Sequence, residues 1–192
     1  HPIIGLVDMV RLAVAPKNFE RALSLAIVVK NMGFEVAFNM MYMSTWEDID
    51  NFYPKLSKLN GMVDLFCMVD SYGSVTPKLL QSVIDKVKKY TTCTLGFHGH
   101  DNLSLGLANA IIAIDSGVEF VDTTILGMGR GAGNLKTELL LTYLNKHMGL
   151  FVDFNSLGRI VEIFDLLHKS YNWGTNLPYM LSGVNSIPQK DV

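Results

Sequence analysis

The sequence predicts an α/β fold built on a parallel sheet, and three observations predict it. Short apolar runs alternate with amphipathic helical stretches five times along the 192 residues. The runs begin near residues 9, 35, 63, 93 and 118, a spacing of 25 to 30 residues that matches one strand–helix unit. They are continuously apolar rather than alternating, as expected of strands covered on both faces. Strands joined in this way take right-handed crossovers.

Each element has its own local signal. The first strand, 9–15, reads MVRLAVA and stops at Pro16. A helix follows over 19–32, with Phe19, Ala22, Leu23, Ala26 and Ile27 at helical spacing and Gly33 as its stop. The second strand covers 35–43. A helical stretch bent at Pro54 then runs to Leu59, and Gly61 ends it. The third strand is 63–69. Thr76-Pro77 supplies a cap and a first-turn proline for a helix whose apolar face is Leu79, Leu80, Val83, Ile84 and Val87. The fourth strand is 92–97, and Asp101 or Asn102 can cap a helix that continues to Ser116. The fifth strand is 118–125, followed by a glycine-rich loop and a helix over about 136–145. Beyond it the pattern changes: a helix over 153–170 shows Leu157, Ile160, Val161, Phe164 and Leu167 on one face, and a tail with Pro178 and Pro188 reads as an appended segment.

Periodicity leaves two architectures open. One is a five-stranded doubly wound sheet; the other is part of a (β/α)8 barrel, which needs about 250 residues when complete. Both put function at the C-terminal ends of the strands.

Composition narrows the classes. Apolar residues make up 49% of the chain, enough for a core. A net charge of -2, with mixed signs, argues against nucleic acid or anionic membrane as partners. No apolar run reaches the ~18 residues of a membrane span. Cys67 and Cys93 lie inside apolar runs without CxxC spacing, which reads as buried thiols in a reducing compartment and predicts a cytoplasmic protein. The chain begins His1-Pro2-Ile3 rather than with methionine, so a fragment or trimmed product is expected.

The chemistry gathers at strand ends. In Gly96-Phe97-His98-Gly99-His100, residues two apart on a strand share a side, so His98 and His100 set two imidazoles next to each other. Both nitrogens can then reach one divalent cation. Two ligands do not complete a site, so a further donor must come from another strand. Asp101 and Asn102 suit helix capping, and Asp101 could also orient a histidine. The segment from Gly127 to Asn134, GMGRGAGN, has glycine at every second position; its N–H groups could bind an anion, or the glycines could simply provide positive φ. Gly127-x-Gly129-x-x-Ala132 is a weak dinucleotide fingerprint, with Asp153 at roughly the offset of a ribose acid. Arg11, inside an apolar strand, must find a partner or face an interior. Asn39, Asp70 and Ser71 stand at other strand ends; Asp70-Ser71-Tyr72-Gly73 suits either a turn or a polar contact to a ligand. Met40, Met41 and Met43 read as core.

These strings resemble a known family. Residues 96–109, GFHGHDNLSLGLAN, resemble the HxHxNLSLxxAN segment of 4-hydroxy-2-oxovalerate aldolases, and 121–134, VDTTILGMGRGAGN, is similar to their last barrel strand and loop. Asp70-Ser71-x-Gly73 and Val10-Arg11-Leu12-Ala13 look like earlier strands of the same family. These aldolases belong to the HMG-CoA lyase-like metallolyases, together with isopropylmalate synthase. The resemblance spans about residues 9–183. It implies a partial (β/α)8 TIM barrel, strands four to eight, within residues 1–148, and a helical C-terminal extension over 149–192. It implies that His98 and His100 bind a divalent metal (Mn²⁺, Mg²⁺ or Zn²⁺), that Asn134 matches a metal-ligand position of the CoA-lyase branch, and that Ser71, with Arg11 and Gly129, contacts substrate. The family's first strand carries an Arg–Asp pair followed by a base histidine. The 192 residues hold no match to either, so no catalytic residue is assigned, and Tyr179 is out of register with the aldolases' C-terminal tyrosine.

The implied reaction is retro-aldol cleavage of a small 4-hydroxy-2-oxo acid to pyruvate and an aldehyde, handed in bacterial relatives to an aldehyde dehydrogenase. Claisen-type acyl transfer or acyl-CoA cleavage on the same scaffold is the nearest rival. A non-catalytic metal-binding fragment is a second class, and a nucleotide-binding doubly wound domain a third. Open sheet edges would need cover from another segment, another chain or a second copy, so a homo-oligomer is expected.

Overall fold

The computed structural model describes residues 5–188 and residue 191. The opening His1-Pro2-Ile3 lies outside them. Five strands form one parallel sheet: β1 (Met9–Val14), β2 (Glu35–Met40), β3 (Leu65–Asp70), β4 (Thr94–Gly99) and β5 (Phe120–Asp122). They lie in chain order, β1-β2-β3-β4-β5, with no reversal. A doubly wound sheet reverses its order at a switch point, so that architecture and the nucleotide crevice that goes with it are absent among the described residues.

The two faces of the sheet are chemically different. Val36, Phe38 and Met40 of β2, Phe66 and Met68 of β3, and Leu95 and Phe97 of β4 point outward into the main core. There they meet Ala26 of α1 (Phe19–Asn31), Leu80, Val83, Ile84 and Val87 of α3 (Pro77–Val87), and Ala113 of α4 (Gly106–Asp115). The inner face is smaller and more polar, although Leu65, Val69 and Phe120 also lie on it. One register row reads Ala13, Asn39, Cys67, Gly96, Phe120, and neighbouring rows carry Arg11 and the pair His98–Asp122. Such an apolar-outside, polar-inside sheet has a reason to curve around its polar face.

One contact measures that curvature. Arg11 on β1 reaches Asp122 on β5, the opposite edge, with Nη1 and Nη2 donating at 2.9 and 2.7 Å. Strands spaced about 4.8 Å apart would put the two edges roughly 19 Å apart in a flat sheet, beyond the span of an arginine and an aspartate. The sheet is therefore rolled, with its edges facing across the polar side.

Several element boundaries differ from the sequence reading. The stretch 43–59 is two 3-10 helices, Met43–Asp48 and Leu56–Leu59, flanking a one-turn α2 (Phe52–Lys55) that contains Pro54. Tyr42 and Asn51, both left-handed, mark its breaks. β4 extends to Gly99, so His98 is a strand residue. The helix expected from 102 begins only at Gly106, whose N–H donates to Asp101 Oδ1 at 2.9 Å, while the Asn102 side chain is drawn away to the C-terminal segment. That segment carries α5 (Thr137–Met148), α6 (Phe154–Tyr171) and α7 (Leu177–Val184). Asp153 caps α6 and Asn176 caps α7. Cys67 and Cys93 are free thiols, Cys67 fully buried. Among the described residues no helix is long and apolar enough to cross a membrane.

Phe38 has no exposed surface and stands between β2 and α1 with Phe19 edge-on to it. Phe38→Ala is expected to destabilise the chain by about 3–5 kcal/mol, read as a lower urea midpoint. A shift of under about 1 kcal/mol would place the core elsewhere.

Candidate metal and substrate cleft

A cleft of about 480 Å³ opens at the C-terminal ends of the strands. Its walls include Asn39, Tyr42, Ser71, Tyr72, His98, His100 and Arg130, with Pro188 at its rim. Strand geometry places the first of these: β2 ends beside Tyr42, β3 beside Ser71, and β4 delivers both histidines.

Each imidazole is anchored through the same nitrogen. His98 Nδ1 lies 3.0 Å from Asp122 Oδ2, its partner in the β4–β5 register. His100 Nδ1 lies 2.8 Å from the Asp70 carbonyl. A carbonyl only accepts, so His100 donates from Nδ1; the Asp122 carboxylate fixes His98 the same way. No Nε2 partner exists for either ring among the described hydrogen bonds. This is the arrangement in which a ligating histidine gives its other N–H to a carboxylate or carbonyl. The ring centres are 5.0 Å apart and nearly perpendicular. Two imidazoles sharing one ion at about 2.1 Å per nitrogen have centres about 4.5–5.3 Å apart, so the spacing fits a common cation.

A third donor stands beside them. Asn134 forms an isolated antiparallel bridge with His100. Its Nδ2 donates to the Met128 carbonyl at 3.1 Å, but its Oδ1 is buried with no hydrogen-bond partner. A buried amide oxygen without a partner is costly, and a hard cation between it and the histidines would satisfy it. The residues therefore fit a divalent metal. Among the described residues no group of three His, Cys, Asp or Glu side chains converges as a site; the candidate set is two histidines and an amide.

The electrostatics follow from burial and pairing. Burial pushes His100 down to about 4, against the opposing hydrogen bond to Asp70, so the ring is neutral at pH 7 with a free lone pair on Nε2. Burial alone would raise Asp122, but hydrogen bonds from His98 and Arg11 outweigh it and hold the carboxyl at about 2. Burial raises Asp70 to about 6; its side chain accepts N–H groups of Ser74 and Val75 in the turn after β3.

The residues singled out in the sequence fall into two groups. His98, His100 and Ser71 line the cleft, and Asn134 sits behind it. Ser71 Oγ accepts the Tyr42 N–H at 2.8 Å, leaving its own proton to donate. Arg11 and Gly129 are not in the cleft wall. Arg11 is engaged bidentately by Asp122 and by Asn39 Oδ1 at 3.0 Å, and reaches the site through the Asp122 carboxylate that also holds His98. Gly129 lies against Asn134: a Cβ there would stand 2.7 Å from Asn134 Nδ2, so the glycine makes room for the amide. Among the described residues Asp101 has no hydrogen bond to a histidine; it accepts from Gly106. Four residues were given no role of their own in the sequence reading. Asp122 is visible only as an acid at the end of an apolar run. Tyr42 and Tyr72, rings 5.6 Å apart, and Arg130 become neighbours only through the fold.

The C-terminal segment braces this end of the sheet. Trp173 Nε1 donates to the Leu126 carbonyl, Gly174 N–H to Gly131, and Thr175 Oγ1 to Asn102. Asn102 Nδ2 returns a bond to the Tyr179 carbonyl at 2.9 Å.

Comparison with known proteins gives a consistent picture. The HMGL-like family model matches residues 12–165. The chain is 36% identical over 121 residues to 4-hydroxy-2-oxovalerate aldolase of Geobacillus stearothermophilus, covering 62% of this chain and 35% of that one. It is 30% identical over 141 residues to oxaloacetate decarboxylase of Mycobacterium tuberculosis, covering 73% and 42%. The chain thus spans well under half the length of these curated relatives. It is similar, at 62% identity and a TM-score of 0.98, to the crystal structure of the N-terminal domain of a proposed aldolase from Bacteroides vulgatus, covering 99% of this chain and 64% of that one.

In metal-free protein, ¹⁵N NMR should find His100 neutral and protonated on Nδ1 from pH 8 down to about pH 5. A folded value of about 4 against 6.5 unfolded means that the unfolded chain takes up the proton first, so this group lowers stability as pH falls between those values. A His100 midpoint near 6.5 would contradict the buried, Asp70-anchored geometry.

Proposed function

This chain belongs to the HMGL-like family, and from that premise and the cleft geometry we propose that it is the metal-holding part of a divalent-metal-dependent carbon–carbon lyase acting on 2-oxo acids. The observation that carries the reading is the pair of Nδ1-anchored imidazoles at 5.0 Å with the partnerless Asn134 oxygen beside them. Of Mn²⁺, Mg²⁺ and Zn²⁺, the two imidazole nitrogens favour Zn²⁺ and the amide oxygen is compatible with Mn²⁺, while Mg²⁺, which prefers oxygen ligands, suits the set least. Bound there, the ion supplies Lewis-acid polarisation of a 2-oxo acid's carbonyl and stabilises its enolate.

The chain's own residues have separable tasks in this reading. His98, His100 and Asn134 hold the ion. Arg11, through Asp122, keeps the His98 ring turned so that Nε2 is free. The Ser71 hydroxyl donates to a substrate oxygen, and Tyr42 and Tyr72 wall off solvent. The reaction favoured is retro-aldol cleavage of a 4-hydroxy-2-oxo acid. The 4-hydroxyl proton goes to a base, the C3–C4 bond breaks, its electron pair stays on C3 as the enolate of pyruvate, and an aldehyde leaves. The base, and the arginine and aspartate expected from the family's first strand, would come from further chain. So would the remaining strands of a (β/α)8 barrel, of which these five would be the fourth to eighth. Support comes from surfaces left open: Phe120 on edge strand β5 is 51% exposed, and Ile160, Ile163 and Leu167 of α6 face solvent. A homo-oligomer, cytoplasmic residence and an aldehyde dehydrogenase that takes the aldehyde belong to the same proposal.

The similarity to an oxaloacetate decarboxylase favours one second reading. Decarboxylation of a 2-oxo diacid breaks the same C3–C4 bond and leaves the same pyruvate enolate, with carbon dioxide departing in place of the aldehyde. Product analysis separates the two.

Titration calorimetry with Mn²⁺ tests the metal reading. His98→Ala is expected to weaken binding at least about 100-fold, beyond the 10–100-fold typical of losing an outer partner, and Asn134→Ala by about tenfold. Equal affinity in wild type and His98→Ala would overturn it.

A further inference from the structure

Arg130 is a cation with no neutralising partner among the described residues. It lines the same cleft as His98 and His100, yet no hydrogen bond or ion pair involves its side chain among the described residues. The Asp122 carboxylate is already engaged by Arg11 and His98. Among the described residues no carboxylate side chain lines the cleft.

The backbone that carries Arg130 is held in place. Its carbonyl accepts the Gly133 N–H at 3.1 Å, and the next carbonyl, that of Gly131, accepts the Gly174 N–H at 3.0 Å. A Cβ on Gly133 would collide with the Gly127 carbonyl, and Gly133 has φ +79°, so only glycine permits this tight return. A fixed backbone with a free guanidinium at a cleft rim is a receptor for an anion, because the planar fork pairs two N–H groups with one carboxylate.

Resting on the 2-oxo acid reading above, we propose that Arg130 selects substrates with a second anionic group, a carboxylate on the side of the molecule away from the 2-oxo acid head. The head engages the His98–His100–Asn134 end, and the far carboxylate pairs with Arg130. The location of that carboxylate follows from the chemistry. An arginine holding a carboxylate that must leave as neutral carbon dioxide would stabilise the starting charge and oppose the reaction. The second carboxylate therefore belongs to the retained C4 substituent of an aldol substrate, and the aldehyde released carries an acid group.

Two stable five-carbon probes test this on the Mn²⁺-loaded chain at about 0.15 M salt. One is 2-oxopentanoate; the other is 2-oxopentanedioate, which differs by the second carboxylate. Wild type should bind the diacid at least about tenfold more tightly, as a charge-assisted pair implies. Arg130→Gln should abolish that preference while leaving 2-oxopentanoate within about twofold, and Arg130→Lys should keep part of it. Equal binding of the two acids by wild type overturns the proposal. Parallel weakening of both acids in Arg130→Gln also overturns it, since Arg130 would then serve the head or the loop. Unaltered Mn²⁺ affinity in His98→Ala would instead bring down the metal reading, and this proposal with it. Normal Mn²⁺ binding without a diacid preference removes this proposal alone.

Discussion

The contact between Arg11 and Asp122 is the constraint on which the rest depends. It joins residues 111 apart in sequence, on opposite edges of the sheet, across its polar face. Each guanidinium–carboxylate bond here is partly exposed, so its Coulomb energy is modest. Its structural effect is larger than its energy. It exists only in a rolled sheet, and it turns the Asp122 carboxylate so that Oδ2 also meets His98 Nδ1. Curvature, ion pair and the orientation of the His98 ring are thus one geometric fact.

A second constraint acts from behind. The glycine-rich loop folds back on itself through the Asn134 N–H to Gly127 carbonyl bond, and the Leu135 N–H returns to the Gly99 carbonyl between the two histidines. The C-terminal segment then locks the loop's far side through Trp173 and Gly174. Asn134 is held beside His100 by backbone on both sides, which is how its amide oxygen can remain buried without a partner. Such groups persist where the surroundings impose them, and they gather at functional sites.

Much of this was legible in the sequence, for local reasons. Strand spacing and continuous apolar runs gave the parallel sheet, and i, i+2 alternation paired His98 with His100. Thr76-Pro77 gave the start of α3 with its cap, Thr76 Oγ1 accepting the Leu79 N–H. What escaped depends on distant contacts. Arg11 needed a partner or an interior by its place in an apolar strand, but which partner was not legible, because Asp122 lies on the far edge and no local pattern encodes curvature. The helix after His100 read four residues too early because Asn102, a good cap by type, is used instead to tie down α7. Gly129 read as a substrate contact; that a side chain there would strike Asn134 is visible only once the loop is folded. Arg130 carried no signal, since a lone arginine in a loop is ordinarily solvated.

The central proposal is that two strand-end imidazoles of the rolled sheet and the loop-borne Asn134 oxygen together hold one divalent ion. Pulsed electron paramagnetic resonance on the Mn²⁺-loaded chain tests it most directly. The account predicts ¹⁴N modulation from two imidazole nitrogens, reduced to one in His100→Ala. A spectrum with water-proton modulation alone would contradict it.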